Sequence, residues 1–137
     1  PGRCRTFVAV TSPNRLRSVR AVRGATTVAA DDPVQIREAV MELLEVILDD
    51  NDIVPNDIIS AVFTATNDLV SEFPAHAARL YGWTDIPLLC AQEIDVPGAM
   101  PSVIRTLVHY YAPDEHTPAH TYIGVAQELR SDLHAAQ

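Results

Sequence analysis

The sequence predicts an α/β domain: a β-sheet with two main helices and at least one crossover connection. Three observations carry this. Ile36, Val40, Leu43, Leu44, Ile47 and Leu48 recur at three- and four-residue spacing, one wide apolar stripe of a helix. Residues 73–82 form a shorter helical stretch, with Pro74 in its first turn and Gly82 at its end. Around these lie β-branched and apolar runs of strand length. Strands separated by helices pack as a sheet with helices against it.

In chain order, residues 1–18 read as a flexible N-terminal extension, with a turn at Ser12-Pro13-Asn14. Residues 19–23 alternate apolar and charged, the period of a half-buried strand, and 24–28 continue or bend it. Asp32-Pro33 pairs an N-cap with a first-turn proline and starts the long helix, which Asn51 ends. Glu38, Glu42, Glu45 and Asp49 form its solvated side. Residues 58–65 read as a strand buried on both faces. On the short helix Ala75, Ala78 and Leu80 are expected to pack, His76 and Arg79 to share a face, and Trp83 to cover the end. Further strands are expected at 86–91, 103–111 and 121–126. In the second of these, Val103, Arg105, Leu107 and His109 point one way. A polar, weakly helical tail closes the chain.

At 137 residues and 47% apolar, the chain is long enough to bury a core as one domain. No apolar run approaches the ~18 residues of a membrane span. Cys4 and Cys90 have no CxxC spacing, which suits reduced thiols and a cytoplasmic setting. There is no lysine, and six of the ten arginines lie in the first 30 residues, where there is no acid. All 18 acidic residues follow, accompanied only by Arg37, Arg79, Arg105 and Arg130. So acidic a body argues against nucleic acid as a partner.

Motif chemistry is mostly absent. The five glycines form neither a GxGxxG nor a P-loop. His116 and His120 have metal-like spacing, but Pro118 interrupts a helix there and no third ligand is apparent. Cys90 has no neighbouring cation to activate it. What remains is arginine. Arg105 lies in an apolar strand, where a guanidinium is costly unless paired, and Glu93 is the candidate partner. Two accounts fit these residues: a buried structural ion pair, or a pocket for a small carboxylate.

The residues themselves resemble a known family. Val22-Arg23-Gly24-Ala25-Thr26-Thr27-Val28 is similar to the N-terminal signature of the AroH-class, Bacillus-type monofunctional chorismate mutases. So are Phe73-Pro74-Ala75 with Arg79 and Gly82-Trp83, then Cys90-Ala91-Gln92-Glu93-Ile94-Asp95-Val96, Ile104-Arg105, and Tyr122 followed by Leu129-Arg130. The resemblance runs over about residues 19–133. It implies a mixed sheet with two main helices in a pseudo-α/β-barrel homotrimer, with a chorismate mutase domain at 19–130 and a tail at 131–137. It implies conversion of chorismate to prephenate in aromatic amino acid biosynthesis, without metal or cofactor and without nucleic-acid or membrane partners.

Site roles follow from the same resemblance. Arg105 would meet the ether oxygen. Arg23 and Tyr122 would bind a carboxylate. Glu93 would accept from the ring hydroxyl and help orient Arg105, with Cys90 near that hydroxyl. Phe73 and Arg79 would come from a neighbouring subunit, and Leu129 and Arg130 would form a lid. Leu89 stands where a small polar residue is frequent, and His76 where lysine is familiar. Two other readings are a trimeric imine deaminase of the RidA type and a non-catalytic small-acid-binding protein.

Overall fold

A computed structural model describes residues 16–129. Its order is β1 (Arg17–Thr27), α1 (Pro33–Asn51), β2 (Ile58–Ala65), α2 (Pro74–Tyr81), β3 (Leu88–Gln92), β4 (Val103–Pro113) and β5 (Thr121–Tyr122). The strands form one mixed sheet in the order β3-β2-β4-β1-β5. β4 runs antiparallel to both β1 and β2, while β2/β3 and β1/β5 pair in parallel.

The connections explain where the helices go. β1 and β2 are parallel to one another with β4 inserted between them, and α1 links them. α2 then links β2 to β3. Both crossovers step across the sheet in the same direction, so the right-handed rule sends both helices to one face. On that face Val22, Ala61, Phe63, Ile104, Val108 and Tyr110 pack with Ile36, Val40, Leu43, Leu44 and Ile47 of α1. Gly24 belongs to this contact: a methyl group there would stand 2.6 Å from Ile47 Cδ1 and 3.1 Å from Leu43 Cδ1. The glycine of the Arg-Gly-Ala-Thr-Thr segment thus lets the helix approach the sheet.

α1 begins as expected, with the Asp32 carboxylate accepting the Gln35 N–H at 3.0 Å. At its other end Asn51 does more than stop the helix. Its buried amide donates to the carbonyls of Ile47 (2.9 Å) and Ala119 (3.1 Å) and accepts the Ala119 N–H (2.7 Å). α2 buries Pro74, Ala75, Ala77 and Ala78, and Trp83 is buried beyond its end. Leu80 is exposed, contrary to expectation. It lies about 140° around the helix from Ala75, and Ala77 fills the packed position instead.

Three further expectations change. β1 starts at Arg17, inside the stretch assigned to the extension; its guanidinium pairs with Asp57 at 2.8 Å. The last strand is only Thr121–Tyr122, because Gly124 at φ +61° leaves the extended conformation and a 3₁₀ turn, Gly124–Glu128, follows. β2 is buried on one face only: Ala61 and Phe63 face the helices, while Ser60, Val62 and Thr64 are half-buried on the other side. Among the described residues no α-helix covers that second face. It presents Leu89 of β3, Val62 of β2, Leu107 of β4 and Ala21 and Val19 of β1, interspersed with polar groups.

Candidate active site

The bare face is where the predicted site residues meet. Strand register sets one row across all five strands: Ala91, Thr64, Arg105, Ala25, Tyr122. Residues opposite one another share a face, so Arg105 and Tyr122 project together, two strand spacings or ~10 Å apart. The next row places Leu89, Val62, Leu107 and Arg23 side by side. Arg23 therefore lies diagonal to Arg105 on the same surface.

The Arg105–Glu93 pair is present. The Glu93 N–H donates to the Ala65 carbonyl at 2.9 Å, which carries the β3 pairing one residue past the strand. Glu93 Oε2 accepts from Arg105 Nε at 2.8 Å and from the Thr64 hydroxyl at 2.7 Å. Thr64 was not singled out from sequence; a threonine in a β-branched run reads only as a strand former. The grip on Arg105 is one-sided. Its terminal nitrogens and Glu93 Oε1 make no hydrogen bond among the described residues. The glutamate side chain is 16% exposed and the arginine 42%, so the carboxylate is sheltered while the guanidinium fork opens outward. A pair serving stability alone would more often close both ends of the fork.

Leu129 is buried with Ala25, Val103 and Ala126, and Met100 and Tyr122 pack on this cluster. The chain after β5 thus folds over one end of the bare face, beside Arg105. Arg130 lies outside the described residues.

Other predicted residues sit elsewhere in the chain. Cys90 shares its register row with Phe63, Thr106 and Gly24, on the helix-covered face. Its Sγ accepts the Ala75 N–H at 3.3 Å. Within one chain Cys90 therefore faces away from Glu93 and Arg105, since alternate residues of a strand face opposite ways. Cys90 instead lines a groove of about 340 Å³ with Phe73, Pro74 and Glu72. Phe73 is 69% exposed there. Arg79 is exposed toward the end of α2. His116 and His120 serve separate partners: His116 Nε2 meets the Tyr110 hydroxyl at 2.7 Å, and His120 Nδ1 accepts the Arg23 N–H at 3.0 Å. A hollow of about 490 Å³ between Arg17, Asn51, Tyr110 and His116 is lined by none of the predicted site residues.

Sequence reading also missed how the loop carrying Phe73 is fixed. Three carboxylates tie it down. Asp31 accepts from the N–H groups of Val70 and Ser71 (both 3.0 Å) and from the Ser71 hydroxyl (2.7 Å). Asp68 accepts from the Thr66 hydroxyl and from the N–H of Ser102, which sits at φ +56°. Glu72 accepts from Arg37 Nε at 2.6 Å, from the Phe73 N–H at 2.9 Å, and meets His76 Nδ1 at 3.1 Å. These contacts, led by the Ser71 hydroxyl, the Thr66 hydroxyl and Arg37 respectively, hold all three carboxyls below their ordinary pKa.

Glu72 falls furthest, from 4.5 to about 2. A carboxylate whose pKa drops on folding stabilises the fold fully above its unfolded value. That contribution disappears as pH falls from about 4.5 toward about 2. Wild type should therefore lose on the order of 2 kcal/mol more than Glu72→Gln between pH 6 and pH 2.5; Arg37 and His76 are solvent-screened, which keeps this below the full shift. Urea denaturation at several pH values measures it, and parallel pH curves for the two proteins would count against the assignment.

Comparison with known proteins agrees with this geometry. A family model for chorismate mutase type I matches residues 19–133. The chain is 45% identical over 124 residues to the chorismate mutase AroH of Thermus thermophilus, covering 87% of this chain and 99% of that protein. It is 38% identical over 118 residues to the chorismate mutase AroH of Bacillus subtilis, covering 84% and 92%. Among solved structures, a chorismate mutase from Clostridium thermocellum superposes with a TM-score of 0.76 at 40% identity, over 80% of this chain and 98% of that one.

Proposed function

The chain belongs to the type I chorismate mutases and converts chorismate to prephenate, and we propose that it does so as a homotrimer with active sites between subunits. Family membership sets aside the imine-deaminase and non-catalytic readings. The trimer is supported by the bare sheet face. Leu89 is 63% exposed and Val19 51% exposed on a surface that also holds Val62 and Leu107. Apolar surface of this kind is buried when chains associate.

The observation that carries the mechanism is the one-sided grip on Arg105. In the rearrangement a C–O bond breaks, a C–C bond forms, and no proton changes hands. Negative charge gathers on the ether oxygen as the C–O bond lengthens. Glu93 and Thr64 fix the inner edge of the guanidinium, and its outer donors meet that oxygen. Such a contact is stronger in the transition state than in the ground state, which is what accelerates the step. Glu93 Oε1 accepts from the ring hydroxyl. Arg23 and Tyr122, on the same face, take a substrate carboxylate and favour the compact conformer.

Phe73 and Cys90 line one groove, so a subunit lending one to a neighbour's site lends the other with it. Arg79 comes from that same neighbour. Leu129 closes one end of the pocket beside Ala25 and Tyr122, and Arg130 is assigned to the lid by the resemblance alone. With no acid or base in the step, kcat should be nearly constant between about pH 7 and pH 9. A steady-state pH profile tests this, and a bell centred on a histidine pKa would sink the mechanism.

A further inference from the structure

We propose that His120 is a positioning residue for Arg23, acting through the Arg23 backbone; the inference rests on the reading of Arg23 as a carboxylate-binding group. β5 is two residues long and pairs only with Gly24 and Ala25 of β1. The ladder is extended on one side by Ile123, whose N–H donates to the Ala25 carbonyl at 2.9 Å. On the other side the strand has run out, and the Arg23 N–H faces its end. The His120 ring fills the place of the missing strand carbonyl: Nδ1 accepts that N–H at 3.0 Å.

The ring is delivered there by main chain held on both sides. Before it, Asn51 clasps Ala119 through both its N–H and its carbonyl. After it, Thr121 and Tyr122 are already in the sheet. β4 holds β1 through the residues on either side of Arg23, whose own N–H points to the other edge and meets the imidazole there. Accepting from a backbone N–H requires Nδ1 to carry its lone pair, so the imidazole is neutral with its proton on Nε2. Without this bond the N–H of the residue bearing the carboxylate-binding guanidinium loses its acceptor, and the side chain's aim loosens. His120 is exposed and contributes nothing to either apolar cluster. Its effect therefore falls on substrate binding and not on the core.

The test compares three variants of the full-length enzyme with chorismate as substrate. Asparagine puts Oδ1 where Nδ1 stood, whereas glutamine carries its oxygen one bond further out. His120→Ala should raise KM about tenfold with kcat changed less than about twofold, the loss of one binding-side hydrogen bond. His120→Asn should restore KM to within about threefold of wild type, and His120→Gln should behave like His120→Ala. In an Arg23→Ala background the further change His120→Ala should add nothing. Melting temperature and sedimentation mass, measured on each variant, should stay near wild type. A KM unchanged in His120→Ala while Arg23→Ala raises it overturns the positioning role. So does a His120→Asn enzyme as impaired as His120→Ala, or penalties that simply add in the double variant. An Arg23→Ala enzyme with unaltered KM overturns instead the reading of Arg23, and the inference with it.

Discussion

Arg105→Ala is expected to lower kcat by roughly two to three orders of magnitude, with a wild-type circular dichroism spectrum and an unchanged assembly state. Removing one preorganised donor at a developing oxyanion typically costs ~3–4 kcal/mol. Two features place this site in that class. Among the described residues the Arg105 fork is held through Nε alone, by a glutamate oxygen that Thr64 also holds. The direction of the guanidinium is therefore set before substrate arrives, and its outer donors remain available. The fold does not depend on the residue, because Arg105 projects from the bare face and the helix-covered core is built by Ile104, Thr106 and Val108 on the other side of β4. Lysine should rescue poorly. It restores charge, but lacks the Nε–H that Glu93 grips and the planar fork. Single-turnover kinetics on wild type, Arg105→Ala and Arg105→Lys decides the matter, and substantial turnover in the alanine variant rejects the proposed role.

The second large effect is on assembly. Val62→Asp should convert the trimer to a folded monomer of 15.0 kDa and abolish activity. Val62 sits between Leu89 and Leu107 in a row of the bare face. A carboxylate there stays hydrated in an isolated chain. In the trimer it would have to be stripped of water, at a cost of several kcal/mol per site without a partner. In the proposed assembly activity goes with it, because Phe73, Cys90 and Arg79 would be supplied across the interface. Sedimentation is the deciding measurement, since a carboxylate near Arg105 can also reduce turnover directly. An active trimer bearing the substitution would rule this face out as the interface.

Local chemistry made much of this legible from sequence. Asp32-Pro33 announced α1, and the alternation through Val103, Arg105, Leu107 and His109 marked a face correctly. The specific Arg-Gly-Ala-Thr-Thr and Cys-x-Gln-Glu segments identified the family. The misses have a common cause. The side of the sheet that a strand residue faces depends on which connections cover that side, and crossover direction is a property of the whole chain. That is why β2 reads as doubly buried in sequence and is buried on one face in the fold. Single hydrogen bonds between distant residues were equally invisible. Nothing near Thr64, Asn51 or Glu72 in sequence signals Glu93, Ala119 or Arg37. Leu80 was lost to a simple phase error on a helix of only eight residues.

The bare sheet face has a consequence for the life of the chain before it becomes an enzyme. A protomer that has finished folding still carries Val62, Leu107, Leu89 and Val19 toward water, and in the proposed trimer these are covered only once chains meet. Its protection is composition: Arg23, Arg105, His109, Ser60 and Thr64 break the apolar surface into small islands. A net charge of −8 adds repulsion between unassembled chains at long range. The arginines that would serve catalysis in the trimer thus first act as gatekeepers against aggregation in the single chain.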